Sequence, residues 1–271
     1  MSEIDYEVEY NNRARVPENP ELMAGWARDA AAYREQCAPR RISYGPDPRN
    51  IIDIFAGEGH EKAPLVVFIH GGYWQALDGS SFSHMARGLN AHGFTVAVPT
   101  YDLCPQVSIA DIIMQMREAM LELAKLADRL VVSGHSAGGH LAACMLATDW
   151  KAYADLPPHL VSAAYAISGL FELEPLIATS INKALRLDQA SARTSSPLFW
   201  TPPHHGSLDA VVGEAESGEY HRQSRTIVDA WGEAGIATQY GVVPGANHFT
   251  AIAPLADPAS AMTLRLKELA G

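Results

Sequence analysis

Gly134-His-Ser-Ala-Gly138 fits the pattern G-x-S-x-G, in which a serine stands on a sharp turn between a strand and a helix. At ordinary Gly and Ser usage this pattern arises by chance in roughly one chain of this size in ten, so the motif alone decides little. Its surroundings decide more. Leu130-Val-Val-Ser133 reads as a strand directly before it, and Leu141-Ala-Ala-Cys-Met-Leu-Ala147 reads as a helix directly after it. Ser136 is therefore the candidate nucleophile, with Gly134 and Gly138 in place of side chains that would collide with the neighbouring backbone. The bland alternative is a serine that caps a helix beside small packing residues.

A serine hydroxyl is a weak nucleophile at neutral pH and needs a base, a group that orients the base, and donors for a developing oxyanion. His70-Gly-Gly-Tyr-Trp74 follows the apolar run Leu65–Ile69 immediately, where a glycine loop can bring amide N–H groups close to a substrate. The amides of Gly71, Gly72 and Ala137 are the expected oxyanion donors, and Tyr73 and Trp74 are candidates for a pocket wall. Core packing is the competing reading for both aromatic residues. Of eleven histidines, His248 alone lies between the last expected strand and the final helix, which selects it as the base. The acid should follow the penultimate strand, where Val212-Gly-Glu-Ala-Glu-Ser217 offers Glu214 and Glu216. Glu216, three residues beyond Gly213, is the choice. His204 and His205 are adjacent, point apart and have no third partner at a recognisable spacing, so no metal and no cofactor is expected.

These groups require a scaffold that gathers strand ends along one edge. From residue 65 onward short apolar runs alternate with longer amphipathic stretches, the pattern of crossover units feeding a mostly parallel sheet. Strands are expected at Leu65–Ile69, Phe94–Val98, Arg129–Ser133, Leu160–Ile167, Leu208–Val212 and Thr238–Val243, with helices near 81–92, 108–127, 137–149, 218–234 and 256–269. An N-terminal helix, Glu21–Gln36, and a hairpin of Arg41–Tyr44 with Ile51–Phe55 read as edge elements. The expected organisation is a single α/β domain over 1–271 with a mostly parallel twisted sheet flanked by helices. Residues 170–206 break the rhythm with Ser-Pro and Trp-Thr-Pro-Pro and read as a cap insertion.

The 271-residue chain has 48% apolar and 19% charged residues, enough for a sizeable core. With 31 acidic and 20 basic side chains its net charge of −11 disfavours nucleic acid and anionic lipid, which leaves a small-molecule substrate as the expected partner. The N-terminus Met1-Ser-Glu-Ile-Asp-Tyr-Glu7 has no apolar targeting core, and no apolar run is long enough to span a bilayer, so a cytoplasmic protein is expected, as monomer or homodimer. Cys37, Cys104 and Cys144 are an odd set without C-x-x-C spacing and read as free thiols.

Taken together, these segments resemble the arylformamidases, or kynurenine formamidases, of the HGGYW type within the α/β-hydrolases. The likeness covers most of the chain. His70–Trp74 is similar to the family hallmark, Gly134–Leu141 to its elbow, and Ser168-Gly-Leu-Phe-Glu-Leu-Glu-Pro175 to the start of its cap. Val212–Ser224 and Asn247-His-Phe249 are similar to its acid and base loops. The resemblance implies hydrolysis of an N-formyl aromatic amine, N-formyl-L-kynurenine, through a formyl-enzyme. The better-known members carry Asp where Glu216 stands, a departure that changes how the acid reaches His248. A carboxylesterase of short acyl esters is the rival within hydrolases, and a non-catalytic binding module on the same fold is the rival from another class.

Overall fold

The computed structural model describes residues 4–57 and 65–271, so Met1–Glu3 of the N-terminal reading lie outside the described residues. Among the described residues eight strands form one sheet: β1 (Arg40–Ser43), β2 (Ile51–Phe55), β3 (Leu65–Ile69), β4 (Val96–Thr100), β5 (Leu130–His135), β6 (Val161–Ile167), β7 (Ser207–Gly213) and β8 (Ala237–Val243). Their spatial order is β1-β2-β4-β3-β5-β6-β7-β8. β1 and β2 pair antiparallel, as does β2 with β4, and every other neighbour is parallel. This is the α/β-hydrolase arrangement.

The central strands are apolar throughout because helices cover both faces of the sheet. Side chains alternate between the two sides. Leu65, Val67 and Ile69 of β3, Leu130 and Val132 of β5, and Leu208, Ala210 and Val212 of β7 enter one core with helices Ile109–Ala124, Ala137–Leu146 and Gly218–Glu233. Val66 and Phe68, Val131 and Val211 enter the other, with helices Asn19–Gln36 and Ala261–Ala270. The edge strand β8 keeps partly exposed positions along its length. Asp209, buried on β7, is ion-paired to Arg265 at 2.8 Å, which pins the last helix to the sheet.

Most expected elements recur within two or three residues, and three differ. The stretch expected as a helix over 81–92 is a 3-10 segment, Gly79–Ala86, running into a short α-turn, Arg87–Asn90. Gly79 there lies so close to β4 that a Cβ would sit 2.9 Å from the Pro99 carbonyl, and Phe82 at φ −121° breaks the helical path. The last helix begins at Ala261 rather than near 256, because Pro258 precedes a capping Ser260 whose hydroxyl accepts from Thr263 N. Residues before the first expected helix also fold, as turns Tyr6–Tyr10 and Asn12–Arg15. Among the described residues no helix is long and apolar enough to cross a membrane.

Candidate active site

β5 ends at His135, and the chain turns at once into the helix Ala137–Leu146. The turn forces Ser136 to φ 56° and ψ −118°, a backbone region that costs a non-glycine residue about 1–3 kcal/mol. Surrounding bonds hold it there: Ser136 N donates to the Ile167 carbonyl at 2.8 Å, and the Ser136 carbonyl accepts from His140 N at 3.1 Å. Gly138 is required because a Cβ would stand 2.0 Å from the Ile69 carbonyl of the adjacent strand. The sequence reading of strand, turn and helix is what the fold contains.

His248 and Glu216 meet across the ends of β7 and β8. His248 Nδ1 donates to Glu216 Oε2 at 2.7 Å, and the Glu216 side chain is fully buried. Because the carboxylate only accepts, the ring proton lies on Nδ1 and Nε2 keeps its lone pair. The other carboxylate oxygen accepts from Gly213 N at 2.7 Å and Ser168 Oγ at 2.5 Å. Ser168 takes a left-handed conformation, φ 52°, at the end of β6 to make that bond. Glu214 faces elsewhere: its carboxylate accepts from Gly245 N at 2.7 Å and braces the turn after β8. The ring of His135 lies 4.6 Å from that of His248, and its Nε2 donates to the His248 carbonyl at 2.9 Å. Burial, with the adjacent His248, holds the His135 pKa well below its ordinary range, so His135 is a neutral prop.

Ser136 and His248 line the same cavity. Ser136 is within reach of the Tyr220 hydroxyl, and no Ser136–His248 hydrogen bond forms among the described residues. Nucleophile–base bonds are commonly long before substrate arrives. Tyr220 packs on His248 with ring centroids 4.6 Å apart. Its hydroxyl belongs to a network in which Tyr73 donates to the Tyr10 carbonyl at 2.6 Å, Tyr73 and Tyr220 are 2.7 Å apart, and Asn12 Nδ2 donates to Tyr220 at 2.8 Å.

Gly71 and Gly72 line the cavity beside Ser136, and a Cβ on Gly71 would stand 2.8 Å from the His135 carbonyl and 3.1 Å from Ser136 Cβ. The amide N–H groups of Gly71, Gly72 and Ala137 have no acceptor among the described residues. His70 itself faces away from the cavity. Its Nδ1 donates to the Gly71 carbonyl at 2.8 Å, its ring stacks on Tyr101 at 4.2 Å, and burial lowers its pKa to about 4. Tyr73 does form part of the cavity wall. Trp74 does not: expected as a pocket residue, it is fully buried in the core, edge-on to His140 at 5.0 Å. Gly72, Tyr73 and Trp74 all have positive φ, a tight turn that places Tyr73 at the cavity and Trp74 in the core.

The cavity encloses about 480 Å³. Sequence reasoning missed much of its wall, because the N-terminal segment read as an edge element supplies it. Met23 and Trp26, with Leu77, Phe82 and Phe249, make an apolar side. The Trp26 ring lies 5.2 Å from Phe82 and 5.8 Å from Phe249. Asp53 on β2 anchors this helix by pairing with Arg34 at 2.6 Å, while Arg41 at 2.7 Å ties in β1. Glu7, Asn11 and Arg13 form a polar side with Ser180, which comes from the segment 170–206. Tyr10 holds the N-terminal turns in place, its hydroxyl donating to Glu219 at 2.8 Å and accepting from Gln223 Nε2 at 2.6 Å. The only advance signals were the aromatic content of Tyr6–Tyr10 and the Asn-Asn pair after it.

Comparison with known proteins agrees with this geometry. Residues 52–157 match the BD-FAE family model. A kynurenine formamidase of Salmo salar is 30% identical over 240 residues, 85% of this chain and 81% of that protein. A crystal structure from Silicibacter sp. TM1040, described only provisionally as a thioesterase, is 34% identical with a TM-score of 0.87, covering 97% of this chain and 98% of that one. The esterase LipW of Mycobacterium marinum, 17% identical with a TM-score of 0.73 over 97% of this chain and 91% of its own, shares the fold. The chain is a hydrolase and belongs to the kynurenine formamidase family of the α/β-hydrolases.

Proposed function

We propose that this chain hydrolyses N-formyl aromatic amines, with N-formyl-L-kynurenine as substrate and L-kynurenine and formate as products of a step in tryptophan catabolism. The observation that carries the reading is the 2.7 Å His248–Glu216 bond beside Ser136 in one cavity, in a chain whose relatives are named for this activity.

His248 Nε2 takes the Ser136 proton as Oγ attacks the formyl carbon, and the amides of Gly71, Gly72 and Ala137 hold the oxyanion. The imidazolium then protonates the departing arylamine. Water, deprotonated by the same imidazole, attacks the formyl ester; formate leaves and the proton returns to Ser136. Glu216 keeps the imidazole in its productive tautomer and stabilises its cation. The aromatic side formed by Trp26, Phe82 and Phe249 suits an aryl leaving group. The segment 170–206 serves as a cap on this single-domain hydrolase. The net charge of −11 favours a small-molecule partner over nucleic acid or an anionic membrane.

The second reading, an acyl ester or thioester hydrolase, is favoured by the similarity to the Silicibacter chain, and the same residues would perform it. The two separate on kcat/KM for N-formyl-L-kynurenine and p-nitrophenyl acetate measured on one preparation. A preference for the ester by orders of magnitude overturns the formamidase assignment.

A further inference from the structure

The cavity lining combines apolar and polar residues, and one of the polar residues is a cation. Arg13 lines it without an ion pair or side-chain hydrogen bond among the described residues. Five other arginines of this acidic chain are committed away from the cavity, Arg34 and Arg41 to Asp53, Arg222 to Glu172 and Glu219, Arg265 to Asp209, and Arg49 to the carbonyls of Tyr101 and Leu77, whereas Arg13 is the arginine in the cavity lining. Glu7, the cavity's carboxylate, is already engaged by Ser180 N at 2.6 Å and Ser180 Oγ at 2.8 Å. The Arg13 backbone, by contrast, is fixed. Asn11 caps its turn by accepting from Ala14 N at 3.1 Å, and the Arg13 carbonyl accepts from Asn19 Nδ2 at 3.1 Å. The preceding residue, Asn12, bonds to Tyr220 and Tyr73 next to Ser136. One short turn thus carries both Asn12, bonded into the hydroxyl network beside Ser136, and an unpaired guanidinium in the lining of the same cavity.

An unpaired guanidinium carried on an anchored turn is a ready partner for a carboxylate, which it can grip through two parallel N–H donors. Resting on the arylformamide reading above, we infer that Arg13 determines specificity by binding the carboxylate at the amino-acid end of the substrate. The aryl ring packs on Trp26, Phe82 and Phe249 while the formyl group meets Ser136. The carboxylate-bearing arm then extends to the polar side, where Glu7 lies near its ammonium group. The class recognised is an aryl formamide carrying an anionic side arm, as distinct from a neutral one.

The test measures wild type, R13Q and R13K on four substrates: N-formyl-L-kynurenine, formanilide, an aryl acetate with an ortho carboxyethyl arm, and phenyl acetate. The kcat/KM ratio of the anionic over the neutral member of each pair reports on Arg13, and the ratio of formamides over acetates reports on the chemistry. R13Q should lower the anionic-over-neutral ratio by about tenfold or more, mainly through KM, with R13K recovering part of it, as expected for a charge-assisted pair at a partly solvated site. An anionic-over-neutral ratio that stays within twofold in R13Q, in both pairs, overturns the Arg13 assignment whatever the formamide preference. A chain that prefers acetates but still loses anionic preference in R13Q retains the carboxylate site and loses only the formamidase reading.

Discussion

Replacing Glu216 by Gln changes one atom, and the hydrogen bonds around it dictate the consequence. Gly213 N–H can only donate, so the new side chain must keep its carbonyl where Oε1 now sits, 2.7 Å from that amide. The NH2 group then occupies the place of Oε2, facing His248 Nδ1 at 2.7 Å. Two donors cannot share that contact, so the imidazole moves its proton to Nε2 and loses the lone pair that takes the Ser136 proton. Flipping the amide restores the tautomer but opposes two N–H groups at Gly213, at a cost of about 1–3 kcal/mol. Losing the charge-assisted bond to the imidazolium adds about 1.5–3 kcal/mol. The sum, about 2.5–6 kcal/mol, corresponds to a loss in kcat of about 10²–10⁴. Formate release at saturating substrate measures it, with the thermal midpoint as a check on folding. A Glu216→Gln enzyme within tenfold of wild type, or a Glu214→Gln enzyme that falls as far, refutes the reasoning, since Glu214 only braces Gly245.

Ser136→Ala should abolish turnover and fluorophosphonate labelling with little change in stability. Ser136→Gly should be equally inactive yet more stable than the alanine variant by roughly 1 kcal/mol, because relief at φ 56° exceeds the entropy cost of glycine; denaturant titration compares the two. Gly71→Ala forces a methyl against the His135 carbonyl and Ser136 Cβ and displaces the amide donors, so kcat should fall by about 10²–10³ while the fold survives. Burial lowers the pKa of His70, His84 and His140 from 6.5 to about 4, so the unfolded chain binds more protons between those values. Their contribution is fully present above pH 6.5 and is lost as pH falls toward 4, by about 2 kcal/mol per fully buried histidine at pH 5. Urea titrations at pH 7 and pH 5 check this, and equal stability at both rules it out.

The strand–turn–helix around Ser136, the placement of Ser136, Glu216 and His248 after successive strands, and the alternation of strands with helices were legible in the sequence. Each is written in local periodicity and in glycines that leave no room for a side chain. Position after the strand made Glu216 the choice over Glu214 without excluding either, and only the positions of Gly213 N, Ser168 and Gly245 N assign the two carboxylates different partners. Trp74 shows the same limit from the other side: its place in the glycine loop made it a pocket candidate, and the tertiary structure buries it in the core against His140. The cavity wall was least legible. Met23, Trp26 and Arg13 lie more than a hundred residues before Ser136, and long-range contacts such as Tyr10–Glu219 and Arg34–Asp53 bring them to it. Sequence alone determined which residues could react, through rules that act over a few neighbours. Which of them meet, and what surrounds a substrate, was decided by packing between segments distant along the chain, where no local spacing carries the information.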